Sequence, residues 1–209
     1  MKFQGNASGY LQNSHLIESD ENIQIISRYM KWEDLKEKTE NAMSLLSLIS
    51  QQNSNHPYHN SRHSYMVAEY AKQVFQEYIK THPHTPSYIY LSLFQIFVAE
   101  RGHDVAHPGK NVTQQDEEES AKIMKNILKG NISDSEKLKE HICESVGYLI
   151  INGTKFEWRN PVLKEKISQN VLLKIMQDAD ILYLGDTYDV FIEGSIRYAV
   201  EQMEWWDFS

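Results

Sequence analysis

The stretch PSYIYLSLFQIFVAERGHD, residues 86–104, decides how this chain folds. Pro86 suits the first turn of a helix, where the N–H it lacks would have had no intrahelical partner. Beyond it the residues are apolar nearly all round, through Phe94, Ile96, Phe97 and Val98, so no broad face is left for water. A helix of that kind belongs at the centre of a bundle. It runs into Arg101-Gly102-His103-Asp104, and Pro108-Gly109 breaks whatever follows.

Working outward, the apolar spacing is helical almost everywhere. Upstream, Val67, Tyr70, Ala71, Val74, Phe75 and Tyr78 form one stripe, closed by THPHTP and preceded by a polar loop from Gln51 to Pro57. Earlier still, Ile23, Ile26 and Met30, then Leu35, Ala42, Leu45, Leu46 and Ile49, keep the same period. Downstream, helices are expected at about 116–129 with Gly130 as stop and at about 134–151 with Asn152-Gly153 as stop. Two more are expected at about 161–184, with Asn160 as cap and Pro161 first, and at about 187–204. No alternating strand of useful length is visible. The expectation is an all-α, compact multi-helix bundle: a flexible N-terminal lead-in over 1–18, then a single domain over 19–209. Trp205, Trp206 and Phe208 are expected to pack on its core.

The length of 209 residues supports one sizeable core and is short for two. A net charge of -8 repels phosphate backbones, which counts against nucleic-acid binding. A small phosphorylated substrate stays compatible, because a bound cation reverses the field locally. The single cysteine, Cys143, excludes an intrachain disulfide and fits a reducing compartment; its apolar surroundings read as core. The start MKFQGNASGY lacks the charged-then-apolar layout of a signal peptide, and no apolar run is long enough for a bilayer. A cytoplasmic protein without membrane attachment is the expectation.

Nine histidines are present, and their placement carries the chemistry. His56, His59 and His63 sit together; if that segment is helical, His59 and His63 project from one face. His103 and His107 repeat the spacing around Asp104, at the end of the buried helix. Asp178 and Asp180 lie far downstream, near the end of another apolar helix that holds Leu172, Leu173, Ile175 and Met176. Imidazoles combined with carboxylates make a mixed N/O site suited to Zn, Mn, Fe, Co or Ni, or with more water Mg.

The pattern H…HD…D in an all-helical chain resembles the HD superfamily of metal-dependent phosphohydrolases. The resemblance implies that His63, His103, Asp104 and Asp180 are the metal ligands. Asp180 is preferred to Asp178 because Ala179-Asp180-Ile181-Leu182 is similar to the family's Ala-Asp-x-Leu. Tyr58-His59-Asn60-Ser61-Arg62-His63 and His103-Asp104-Val105-Ala106-His107-Pro108-Gly109-Lys110-Asn111 resemble the two signatures of the cyclic nucleotide phosphodiesterases. Leu149 to Thr154 echoes a third segment, with Lys155 where that family has Asp. The phosphodiesterases' Leu-Glu-x-His-His stretch and their C-terminal purine clamp are absent. Asp116-Glu117-Glu118-Glu119-Ser120-Ala121 stands instead, which is closer to small bacterial HD phosphohydrolases.

The resemblance implies one or two divalent metal ions, a second being bridged by Asp104, and a small phosphorylated substrate, a nucleotide. The implied reaction is hydrolysis of a phosphodiester such as a 3',5'-cyclic nucleotide through a metal-bound hydroxide. In that reading His59 is the general acid, His107 lies beside the phosphate with Asp104, and Tyr58 and Asn60 support them. Arg62, Lys110 and Asn111 are candidate substrate contacts, and Glu117–Glu119 is either a solvated helix start or a source of one bond to metal-held water. Two alternatives stay open: an HD-type nucleotidase or nucleoside-triphosphate hydrolase, and a non-catalytic module that senses metal or nucleotide.

Overall fold

The computed structural model describes residue 44 and residues 56–84, 86–107, 114–132, 136–153, 170–185 and 187–203. Among the described residues there are six helices and no strand: α1 Ser61–Thr81, α2 Pro86–Gly102, α3 Gln114–Asn131, α4 Glu136–Gly153, α5 Val171–Gly185 and α6 Tyr188–Met203. The all-α expectation holds. No described helix is long and apolar enough to cross a membrane. The lead-in over 1–18, the stripes between Ile23 and Ile49, and Trp205, Trp206 and Phe208 all lie outside the described residues.

α2 takes the central place its composition demands. It packs against α1 and α4, and more lightly against α3 and α5, while α3 pairs with α4 and α6 rests on α5. Leu91, Ile96, Val98 and Ala99 on α2 are buried against Val67, Ala71 and Phe75 of α1 and Val146, Leu149 and Ile150 of α4, within one core cluster. Fully burying each large apolar side chain is worth roughly 1.5–3 kcal/mol. That energy holds in place the polar residues sharing the same helices.

The helix periods carry the site residues into the interior. On α1 the buried stripe runs His63, Val67, Ala71, Phe75, Tyr78, so the spacing that buries Phe75 also buries His63 one turn from the helix start. On α5, Leu172, Leu173, Ile175, Met176 and Ala179 are buried, and Asp180 follows Met176 by one turn. Asp178 is rotated about 200° away from Asp180 on that helix.

One expected boundary differs, and two readings that depended on a shared helix do not hold. α5 begins at Val171, not at Pro161: the side chain of Asn170 accepts the backbone N–H of Leu172 at 2.9 Å and of Leu173 at 3.3 Å, so Asn170 is the cap. α1 begins after His59, because Asn60 caps it by accepting from the N–H groups of Arg62 and His63. His59 and His63 are therefore not one turn apart on a shared helix. α2 ends at Gly102, which leaves His103 to Ala106 in a turn and removes the helical argument for His103 and His107 as well.

Candidate metal centre

The centre is assembled from α1, the turn after α2, and α5. His63, His103 and Asp180 each bring one potential ligand atom within 4.8 Å of the others. Nε2 of His63 lies 3.4 Å from Oδ2 of Asp104 and 3.5 Å from Oδ1 of Asp180, and Nε2 of His103 lies 2.9 Å from Asp104 Oδ2. The two longer distances exceed a good N–H···O bond. They match what separate ligands of one ion require: bonds of about 2.0–2.2 Å place neighbouring donors about 2.9 Å apart in an octahedron and about 3.4 Å apart in a tetrahedron. The donor set therefore fits a divalent cation. All four residues for which the sequence argued are brought together, and Asp178 is not among them. Asp178 is instead raised in pKa by burial, with Lys174 opposing.

The ring of His103 is oriented from behind. Its Nδ1 donates to the backbone carbonyl of Glu100 at 2.8 Å, which turns Nε2 toward Asp104 and His63. The Glu100 side chain, 1% exposed, has one oxygen 3.5 Å from the same Nδ1. Burial, reinforced by Asp180 and Asp104, pushes Glu100 well above the usual carboxylate range. Burial works against charge on His103, yet Asp104, Glu100 and Asp180 outweigh it and raise its pKa well above the ordinary value. Asp104, though buried, is held well below the carboxylate range by His103 and His63.

The turn carrying this chemistry is fixed from α3. The backbone N–H of Ala106 donates to Oγ of fully buried Ser120 at 3.0 Å. That is the service of the acidic-Ser-Ala run: Ser120 anchors the turn, while Glu119 pairs outward with Lys122.

A second group lies alongside. The rings of His59 and His107 stack, with centroids 3.8 Å apart and planes 18° apart. Glu201 of α6 accepts the backbone N–H of Tyr58 at 2.7 Å and of His59 at 2.9 Å through one oxygen, and meets His59 Nδ1 with the other. Burial opposes charge on His59, but the bond to Glu201 and the field of Asp104 raise its pKa. Burial and the charge of His59 lower His107 to about 4. Although burial raises the Glu201 carboxyl, its bonds with His59 lower it to about 2. His59, His107 and Glu201 also bring ligand-type atoms within 4.8 Å of one another. Imidazole lone pairs lie in the ring plane, however, so two nearly parallel stacked rings do not aim at a common ion. The arrangement suits one proton, held on His59 against Glu201.

Of the remaining candidates, Tyr58 is buried with its ring 4.7 Å from that of His63 and 5.3 Å from that of Tyr198. Asn60 is engaged as a cap, and its amide donates to the carbonyls of His56 and Pro57. Arg62, expected as a substrate contact, points outward and is half exposed; it forks onto Glu193 at 2.8 and 3.3 Å. Lys110 and Asn111 lie outside the described residues. Sequence reasoning missed Glu100, Arg101 and Glu201. The first two carried a signal, being adjacent charges in an otherwise apolar helix; Glu201 carried none.

A small pocket opens beside Asp104, lined by His59, Asn60, Ser61, Ser64 and Arg101. The chain matches no family model, no curated protein and no solved structure.

Proposed function

We propose that this chain is a metal-dependent phosphohydrolase of the HD type, acting on a phosphodiester such as a 3',5'-cyclic nucleotide. The observation that carries the reading is the convergence of His63, His103, Asp104 and Asp180, from three separate elements, at distances suited to one divalent ion. A cation bound there supplies Lewis-acid activation of water near neutral pH. His63, His103, Asp104 and Asp180 would hold it, with the Glu100 carbonyl fixing the His103 ring.

His59 supplies the other half of the reaction. Its Nδ1 faces Glu201, so the opposite ring nitrogen is the one that can deliver a proton to a leaving oxygen. Glu201 keeps that proton on His59, and neutral His107 stacked against it leaves room for a single charge. An acid beside a cation site, with a pocket joining them, is an arrangement for breaking a P–O bond whose leaving group needs protonation.

The test is elemental analysis of the purified chain, followed by a panel of cyclic and linear nucleotides and a generic aryl phosphodiester. Bound transition metal with turnover of a diester supports the reading. Activity confined to nucleoside mono- or triphosphates would move the assignment to a nucleotidase. Metal without turnover of any phosphoester would leave a sensing module.

A further inference from the structure

Arg101 is a buried cation with no carboxylate partner among the described residues. Its side chain sits at the end of α2 and is 6% exposed as a residue, against 56% for the side chain of Arg62. One terminal nitrogen, Nη1, donates to the backbone carbonyl of Ser61 at 3.1 Å and to Oγ of Ser64 at 3.3 Å. The guanidinium carbon stands 5.4 Å from the centre of the Tyr65 ring. Both protein acceptors are neutral, and no described carboxylate lies within ion-pairing distance, whereas Arg62 and Arg197 both pair with Glu193. Burial lowers the pKa of Arg101, with Tyr65 pulling the other way. Burying a charge without an opposite partner is costly, and a fold that keeps one gains from an anion that arrives later.

The opening nearest this guanidinium is the small pocket beside Asp104. Arg101 lines it together with Asp104 of the candidate metal centre and His59, the candidate acid. Nη1 is tied to α1, and the rest of the guanidinium bonds no described residue. The planar fork of a guanidinium matches two oxygens of a tetrahedral oxyanion.

We propose that Arg101 is the anion-binding residue of this pocket, receiving non-bridging oxygens of the substrate's phosphoryl group and of free phosphate. This rests on the phosphohydrolase reading for its substrate, and it replaces Arg62, which Glu193 occupies. Arg101 would contact the phosphoryl group that the activated water attacks, from the same pocket that Asp104 and His59 line. Its contribution appears in binding of the phosphoryl group, independent of what the leaving group is.

The experiment uses the full chain with its metal and measures inorganic phosphate binding by calorimetry, alongside KM and kcat for the best diester. Arg101→Met should weaken phosphate binding by about 10–100-fold, the value of a charge-assisted bond, while metal content stays at the wild-type level. Arg101→Lys, which keeps the charge and loses the fork, should fall between the two. KM should rise in both variants by a similar factor for diesters with good and poor leaving groups. Unchanged phosphate affinity in Arg101→Met, or no phosphate binding by the wild type, overturns the assignment. If Arg101→Met fails to fold, Arg101→Lys decides; failure of both makes Arg101 a structural tie between α1 and α2 and also overturns it. Phosphate binding that depends on Arg101 in a chain without phosphoester turnover would keep the anion site and remove the enzymatic reading. Turnover with phosphate affinity indifferent to Arg101 would do the reverse.

Discussion

Glu201 grips His59 from two directions. One carboxylate oxygen takes the backbone N–H of His59 at 2.9 Å, and the other faces Nδ1 of its ring. A residue 142 positions away thereby fixes both the position and the charge of the candidate acid.

Glu201→Gln should lower the His59 pKa toward its ordinary 6.5 or below, since burial alone pushes it down. Because His59 is raised in the folded state, its contribution to stability is fully present below 6.5 and is lost as pH rises through the folded value. Glu201, lowered to about 2, contributes above its ordinary 4.5 and loses that contribution as pH falls toward 2. The stability difference between wild type and variant should therefore be largest between about pH 4.5 and 6.5 and shrink at higher pH. Urea unfolding at a series of pH values measures it; a pH-independent difference would mean the pair is not charged.

The ligand assignment makes a selective expectation. His103→Ala, Asp104→Ala and Asp180→Ala should each lose bound metal by elemental analysis, while Asp178→Ala keeps most of it. Asp178 points to the far side of α5, beside Lys174. Full occupancy in the Asp180 variant would mean that the ion sits elsewhere.

His59→Asn should retain metal and lose about 10²–10⁴-fold in turnover of a diester with a poor leaving group. The loss should shrink for an aryl diester, whose phenolate departs without a proton. His63→Asn, which removes a ligand, should cost both substrates alike. Equal losses for both substrates in His59→Asn would make His59 a ligand or a structural group.

Asn60→Ala should destabilise the fold by about 1 kcal/mol through loss of the α1 cap, lowering the melting temperature by about 2–4 °C. Circular dichroism on the two proteins checks this. An unchanged midpoint would show that the carbonyls of His56 and Pro57 and the first N–H groups of α1 find other partners.

The central helix was readable because Pro86 and an all-round apolar composition leave a chain segment no alternative. The four candidate ligands were picked out by spacing and resemblance, and their coming together follows because His63 and Asp180 ride on stripes whose apolar members declare the buried face. Helix starts were less so: Asn160 and Asn170 are the same residue type, and the side chain of Asn170 is the one that caps α5. For His59, a spacing of four from His63 invited a helical argument, whereas Asn60 between them is a capping residue that ends it. Arg62 drew the phosphate role by lying inside a motif, yet its partner Glu193 is 131 positions away and invisible to local reading. Glu201 escaped for the same reason.

The distribution of the site residues among the helices has a consequence for how the site responds to damage. The four candidate ligands lie on α1, the turn after α2, and α5, which contact one another without α6. Glu201 comes later, on α6, whose described packing is chiefly against α5. The four candidate ligands and the partner of the candidate acid therefore belong to separable parts of the fold, the first needing α1, α2 and α5 in place and the second needing α6 as well. A change that loosens α6 should therefore reach Glu201 and His59 while leaving the candidate ligands on their own elements.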